Sequence, residues 1–163
     1  MRHPLAASLL VVVVSILRPS LSFAQFEEVR IAVDGLTCNL CAVGLERSLR
    51  TIDSVASVHV SLQDESAVVR MKTGAGFDIE KFRGSVRNAG QEARRFDLRL
   101  SGAVQRQDGR YSLQPGSGSS VLVARSSAAK IESHVGKVVR VHARVSSPPS
   151  SPLELEITDV ALR

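Results

Sequence analysis

The stretch Gly35-Leu36-Thr37-Cys38-Asn39-Leu40-Cys41 lies between an alternating apolar run and a helical one. Cys38 and Cys41 are the only cysteines in the 163 residues. Two thiols three positions apart, on a loop that leads into a helix, can bind one soft metal ion or form one disulfide. The two residues by themselves leave both possibilities open, so the pattern around the loop matters.

The loop joins two segments in which apolar residues recur at different spacings. Val29, Ile31 and Val33 alternate with polar or small residues before the loop, which predicts a half-buried strand that Gly35 ends. After the loop, apolar residues recur at helical spacing. These residues are Ala42, Leu45, Leu49 and Ile52.

The segment up to residue 100 continues the same alternation of strands and helices. Two alternating runs, at 58–62 and 67–71, predict a hairpin with a turn at Asp64-Glu65. Asp78 is placed to cap a second helix and Gly90 to end it. A fourth strand is predicted over 96–100. The order strand, helix, strand, strand, helix, strand is the ferredoxin-like, split βαβ pattern, with two helices on one face of an antiparallel sheet.

After Gly102 the composition changes to short alternating runs. A turn at Asp108-Gly109 separates two of them, and residues 128–135 predict one or two helical turns. The phrase His134-Val135-Gly136-Lys137-Val138-Val139 resembles the late strand of small OB-fold modules. The expected fold class is therefore α+β, a ferredoxin-like βαββαβ sandwich followed by a small all-β, OB-like barrel.

The N-terminus predicts an export signal. An apolar run of about 13 residues from Leu5 to Leu17 follows a basic start, and Ser22-Phe23-Ala24 fits a small-x-small cleavage site. An uncleaved anchor is the alternative, but a membrane span needs roughly 20 apolar residues. We expect a signal peptide at 1–24, a first domain at 25–101 that carries the cysteine loop, and a barrel at 102–163. The mature chain would be periplasmic or secreted, without a stable membrane anchor.

Composition argues against several functional classes. Removal of residues 1–24, which contain Arg2 and Arg18 and no acid, lowers the formal net charge from +5 to +3, and this mild charge does not demand nucleic acid. Tyr111 is the only aromatic residue after residue 101, which argues against a barrel that stacks bases. The arginines between 83 and 99 fit a solvated basic face, with docking of an acidic partner as the alternative. No hydrolytic constellation of Ser, His and acid is apparent, and we predict that the protein is not an enzyme.

The spacing of the two thiols favours metal binding over a structural disulfide. A disulfide across two residues closes a short loop and constrains little of the unfolded chain. Two thiolates suit Cu(I), whereas structural zinc takes four ligands. The histidines that remain after export are far from the loop in sequence. These are His59, His134 and His142.

Residues 28–100 resemble the heavy-metal-associated domain of copper chaperones, of metal-transporting ATPases and of the periplasmic mercury-binding protein. The family motif Gly-Met-Thr-Cys-x-x-Cys stands here as residues 35–41, with Leu36 in place of the methionine. The resemblance implies that Cys38 and Cys41 are the metal ligands. It also places Gln91 where the family often carries tyrosine or lysine beside the metal. The implied role is buffering or transfer of one Cu(I), with Hg(II) or Zn(II) as alternatives. The implied partner is a metal-transporting membrane protein or another metal-binding protein.

Two rival functions remain. A Cys-x-x-Cys pair between a strand and a helix also occurs in thiol–disulfide oxidoreductases. This chain has no tryptophan, and no proline from Leu21 to Gln114, so the proline that faces the pair in thioredoxin-like folds has no counterpart. The third hypothesis is an adaptor whose C-terminal barrel docks a partner.

Overall fold

A computed structural model of the chain describes residues 25–116, 120–146 and 153–162. The predicted signal peptide at 1–24 lies outside these residues. The first half has the order β1, α1, β2, β3, α2, β4, which confirms the predicted βαββαβ order. The bounds are Phe26–Asp34 for β1, Asn39–Arg50 for α1, Val55–Ser61 for β2, Ser66–Met71 for β3, Ile79–Asn88 for α2 and Glu92–Gln107 for β4.

The helices and strands of this half share one apolar layer. The inward residues of β1 are fully buried, as the alternating pattern predicts. Leu45 and Leu49 of α1 and Phe82 and Val86 of α2 are also fully buried and belong to the same cluster. Phe77 adds an aromatic contact between the layers, since its ring centroid lies 5.2 Å from that of Phe82. Burial of large side chains of this kind is the main stabilising term of the fold.

Local signals fix the ends of α2 as the sequence predicts. The Asp78 carboxylate accepts hydrogen bonds from the backbone N–H groups of Glu80 at 3.1 Å and Lys81 at 3.3 Å. These two N–H groups have no partner within the helix, so the cap stabilises its first turn. Gly90 follows the helix with φ +82°, a left-handed conformation that favours glycine.

The first four strands form an antiparallel sheet in the order β2-β3-β1-β4. β1 and β3 pair from Glu28 opposite Arg70 to Ala32 opposite Ser66. β1 and β4 pair so that Asp34, at the end of β1, lies opposite Glu92, at the start of β4. The loop after β1 and the turn before β4 therefore meet at the same end of the sheet.

β4 runs for 16 residues, and the predicted boundary between residues 101 and 102 falls inside it. Its second half continues past Gly102 and pairs with β5. The remaining elements are β5 at Arg110–Gln114, β6 at Val121–Val123, the short helix α3 at Ala128–Ile131, β7 at Val138–Ser146 and β8 at Glu154–Leu162. A 3-10 turn at Glu132–His134 follows α3, so the predicted helical turns are present.

The second half closes a ring of strand pairs. β4 pairs with β5, β5 with β6, β6 with β8, β8 with β7, and β7 returns to β4. The β6–β8 pair is parallel and the others are antiparallel. Val104, Leu113, Ile131 and Ile157 are buried here and join the same apolar cluster as the first half. The OB-like barrel stays a prediction. None of the helices in the described residues is both long enough and apolar enough to cross a membrane.

Candidate metal centre

The loop between β1 and α1 is fixed at both of its ends. Gly35 leaves β1 with φ +85°, a conformation that residues with a Cβ seldom adopt. Leu36, the residue in place of the family's methionine, is only 3% exposed and anchors the loop in the core. The loop is therefore held by a buried side chain while the residues after it face solvent.

An ion-pair cluster supports the end of the sheet from which the loop leaves. Arg94 Nε lies 3.0 Å from Asp34 Oδ1, and Arg94 Nη2 lies 3.3 Å from Glu65 Oε2. Arg94 thereby joins the end of β1, the turn between β2 and β3, and the start of β4. The sequence places Arg94 in a run of basic residues, and the acids that pair with it are distant in the chain. Only the register of the sheet brings the three groups together.

Cys38 is the N-cap of α1 and Cys41 lies in the first turn. Cys38 has an extended backbone, and its Sγ accepts a hydrogen bond from the Cys41 N–H at 3.0 Å. The Cα atoms are 5.1 Å apart, and the two sulfur atoms are joined in a disulfide. The structure thus brings the two predicted site residues together at one helix N-terminus, in the oxidised state.

The surface around the two sulfur atoms is open and partly apolar. Cys38 is exposed and Cys41 is half-buried. Leu40, between them, is 83% exposed, and Val43, on the next turn, is 54% exposed. A thiol of another molecule can therefore approach the sulfur atoms without movement of the core.

Gln91 lies beside this loop and is buried. It is 5% exposed, and its Oε1 has no hydrogen-bond partner among the described residues. A Cβ placed on Gly35 would lie 3.8 Å from Gln91 Cγ. Gln91, which the family resemblance places beside the metal, therefore lies next to the loop. Its side chain presents a neutral amide there.

In the part of the chain that the structure describes, no histidine lies in the cysteine loop or in α1. His59 lies exposed on β2, His134 in the 3-10 turn and His142 on β7. Across residues 25–116, 120–146 and 153–162, no three His, Cys, Asp or Glu side chains are grouped so that they could hold a metal ion. Among the described residues, the groups that the loop offers are the two sulfur atoms of Cys38 and Cys41.

The arginines between residues 83 and 99 do not form one surface. Arg83 pairs with Glu80 on α2 at 3.0 Å, and Arg94 belongs to the cluster at the loop. Arg95 lies 3.0 Å from Asp97, and Arg99 lies 3.8 Å from Glu28, both on the sheet face opposite the helices. These exposed pairs contribute little individually.

Comparison with known proteins finds a family match within the first half of the chain. Residues 30–92 match the heavy-metal-associated domain. The chain is 33% identical over 82 residues to copper-transporting ATPase 1 of Rhizobium meliloti (strain 1021), an alignment that covers 50% of this chain and 9% of the ATPase. The chain therefore spans only a small part of that relative.

Similar solved structures each match about two fifths of the chain. The CopZ metallochaperone is 21% identical, with a TM-score of 0.38, and the match covers 40% of this chain and 97% of that chain. Oxidised MerP from Ralstonia metallidurans CH34 is 24% identical, with a TM-score of 0.38, and the match covers 42% of this chain and 93% of that chain. From the family match and the motif between β1 and α1, residues 30–92 are a heavy-metal-associated domain.

Proposed function

We propose that the chain is an exported protein that binds one soft metal ion through Cys38 and Cys41, and that it buffers this ion or passes it to a partner. The observation that carries the proposal is the meeting of the two sulfur atoms at the exposed N-terminus of α1. The match of residues 30–92 to a heavy-metal-binding domain supports it.

Metal binding requires the reduced pair. A reductant supplies two electrons to the disulfide, the S–S bond breaks, and both sulfur atoms become thiolates. Two thiolates and no third ligand suit a soft ion of low coordination number, and Cu(I) is our first candidate. Hg(II) is the second, since it is also soft. Zn(II) is the third because structural zinc takes four ligands. The Cu(I) centre would carry one net negative charge.

Transfer by ligand exchange follows from the exposure of the site. One partner thiolate would replace the first cysteine on the ion and a second partner thiolate would replace the other, so that the ion would keep two sulfur ligands throughout the transfer. Leu40 and Val43 offer an apolar rim on which the partner can pack. We propose a metal-transporting membrane protein or another metal-binding protein as the partner. The similarity to a copper-transporting ATPase supports the first of these.

Export and the role of the second half belong to the same proposal. Residues 1–24 have the composition of a signal peptide, and the mature chain would be periplasmic or secreted. We propose that the five-strand ring is an OB-like barrel, since a five-stranded Greek-key closure is typical of that fold. In the adaptor hypothesis, a partner protein docks on this ring of strands.

A thiol–disulfide oxidoreductase is the second candidate function. The observation that favours it is the disulfide between Cys38 and Cys41, with a backbone N–H directed at the exposed sulfur. An insulin reduction assay separates the two candidates. Turnover comparable to that of a thioredoxin would favour the oxidoreductase.

Titration of the reduced chain with Cu(I) against a chelator tests the metal site. We expect one Cu(I) per chain, and loss of tight binding in both Cys38→Ser and Cys41→Ser. Serine is a good N-cap, so Cys38→Ser should keep α1 and the circular dichroism spectrum intact. Thr37→Ser, on the same exposed loop, is the matched control. Retention of full affinity in both cysteine variants would refute the assignment.

A further inference from the structure

We infer that an arginine stripe on the open face of the sheet is an interaction surface, and that its partner is an extended acidic segment of another protein. The stripe consists of Arg70 on β3, Arg30 on β1 and Arg95 on β4. Arg30 lies between Val29 and Ile31, which are both fully buried, so its side chain points away from the core that the helices share. All three arginines are exposed.

The sheet register puts the three arginines on one diagonal. On β3, the residue opposite Arg30 is Val68, which lies two residues from Arg70. On β4, the residue opposite Arg30 is Asp97, which lies two residues from Arg95. Diagonal neighbours in an antiparallel sheet are about 7–8 Å apart. Both steps run in the same direction, so the three positions form one line across three neighbouring strands.

Arg30 has no ion pair within the described residues, although an acid lies opposite it. That acid is Asp97, and its two carboxylate oxygens are both engaged by other arginines. Oδ2 accepts a hydrogen bond from Arg95 Nε at 3.0 Å, and Oδ1 accepts one from Arg144 Nε at 3.3 Å. The exposed guanidinium group of Arg30 is therefore available to a partner.

Arg70 is likewise without an ion pair in the described part of the chain. Its opposite residue on β1 is Glu28, which has an ion pair with Arg99 at 3.8 Å. On its other side the stripe borders outward residues that carry no charge, so this side is open to an anionic chain. The uncharged residues directly opposite the three arginines are Ser57, Val68 and Ala32.

The spacing favours an extended segment with a carboxylate at every second residue. Alternate side chains of an extended chain lie on the same face, about 6.5–7 Å apart. This distance nearly matches the spacing along the diagonal, so one segment can place a carboxylate at each arginine. A guanidinium group matches a carboxylate with two parallel hydrogen bonds. Exposed pairs of this kind are individually weak, and tight enough recognition therefore needs several carboxylates on one chain.

The acids around the stripe disfavour a broad anionic partner. Glu28 and Asp97 border the stripe on one side. The exposed Glu156 of β8 faces the same way, since it lies opposite Arg144. A lipid bilayer or a nucleic acid would bring its phosphates against these carboxylates, and like charges repel. A narrow polypeptide segment on the uncharged side of the stripe avoids this contact.

The test uses the full chain in its metal-free disulfide form, so that metal ions and thiols take no part. Nuclear magnetic resonance titration at low salt measures binding of the synthetic peptide Ser-Glu-Ser-Glu-Ser-Glu-Ser. We expect the shifted backbone amides to lie on β3, β1 and β4 around the stripe. The isomer Ser-Ser-Glu-Glu-Glu-Ser-Ser has the same charge, but only two of its carboxylates share a face. It should bind about twofold more weakly or worse.

Two double variants locate the contact. Arg30→Gln/Arg70→Gln should weaken binding of the alternating peptide by about fivefold. Arg47→Gln/Arg87→Gln removes two exposed arginines from the helices, one from each, and is the matched control that should leave the affinity unchanged. Circular dichroism of both double variants verifies that the fold is intact.

Four results would overturn the inference. These are no binding of the alternating peptide, equal affinity for the two peptides, equal losses in the two double variants, and shifts confined to the helices. A fifth result would assign the stripe to a membrane surface and overturn the inference as well. This is tighter binding to phosphatidylglycerol vesicles than to the peptide, with the vesicle binding lost in Arg30→Gln/Arg70→Gln.

Discussion

A lysine at position 91 tests whether the loop is built around the charge of a bound ion. Gln91 is 5% exposed and lies beside Gly35, three residues before Cys38. Two thiolates with Cu(I) carry one net negative charge. Gln91→Lys therefore introduces a cation next to an anionic centre, at a position where the amide Oε1 has no partner to lose.

Two free-energy terms of opposite sign set the expected result. Two unit charges about 7 Å apart attract by about 1 kcal/mol at an effective dielectric constant of about 40. This corresponds to about fivefold tighter retention of Cu(I), since 1.4 kcal/mol is about tenfold. In the metal-free protein the ammonium group has no such partner and sits at a buried position. We therefore expect the free energy of unfolding of the metal-free lysine variant to be lower than that of the unchanged protein by about 1 kcal/mol or more.

The assay is competition for Cu(I) with a chelator, at low salt and then at raised salt. Gln91→Met is the matched control, because methionine has a similar length and no charge. The lysine variant should retain Cu(I) better than the methionine variant, and the difference should shrink as salt rises. Equal retention by the lysine and methionine variants at low salt would refute the reasoning. It would mean that the position 91 side chain is too far from the sulfur atoms to matter.

Three substitutions test the scaffold, each by thermal or urea unfolding. Phe96→Ala removes a fully buried ring from the core and should cost about 3–5 kcal/mol, with a loss below about 1 kcal/mol contradicting the packing. Ser127→Ala leaves the buried Ile157 N–H without an acceptor and should cost about 1–3 kcal/mol. Gly102→Ala places a Cβ 3.1 Å from the Gln114 carbonyl oxygen and should also cost about 1–3 kcal/mol. Gly44→Ala, in α1 with open space around it, is the matched control and should stabilise by about 0.5–1 kcal/mol.

The first half of the fold is readable from the sequence because its signals are local. The alternation at Val29, Ile31 and Val33 reflects one buried face of β1, and the helical spacing after Cys41 reflects one buried face of α1. The cap at Asp78 and the glycine after α2 act within a few residues. Each feature stabilises the element in which it occurs, so a pattern along the chain is sufficient to find it.

Gly102 shows why the boundary between the two halves could not be found in the same way. A glycine inside an apolar run suggests a break in the strand. In the structure it is a strand residue at which β5 passes closely, since a Cβ there would lie 3.3 Å from the Gln114 carbonyl carbon. The partner residue is twelve positions away, and nothing at Gly102 itself distinguishes a break from a close approach.

The candidate site was likewise predictable in part. The thiol pair and its place before α1 follow from the motif, and Gln91 follows from the family resemblance. Arg94 does not, because its pairing with Asp34 and Glu65 depends on the register of three strands. The disulfide does not follow either, since the same spacing serves ligation and oxidation.

The cysteine loop rests on a scaffold supplied by both halves of the chain, because β4 belongs to both. Residues 95–100 of β4 have β1 on one side and β7 on the other. Leu98 and Leu100 of β4 lie in the same buried cluster as their β7 partners Ala143 and Val141. The segment that holds Gln91 and Arg94 leads directly into this doubly paired stretch. We therefore expect that loosening β7 would free one side of β4 close to the loop.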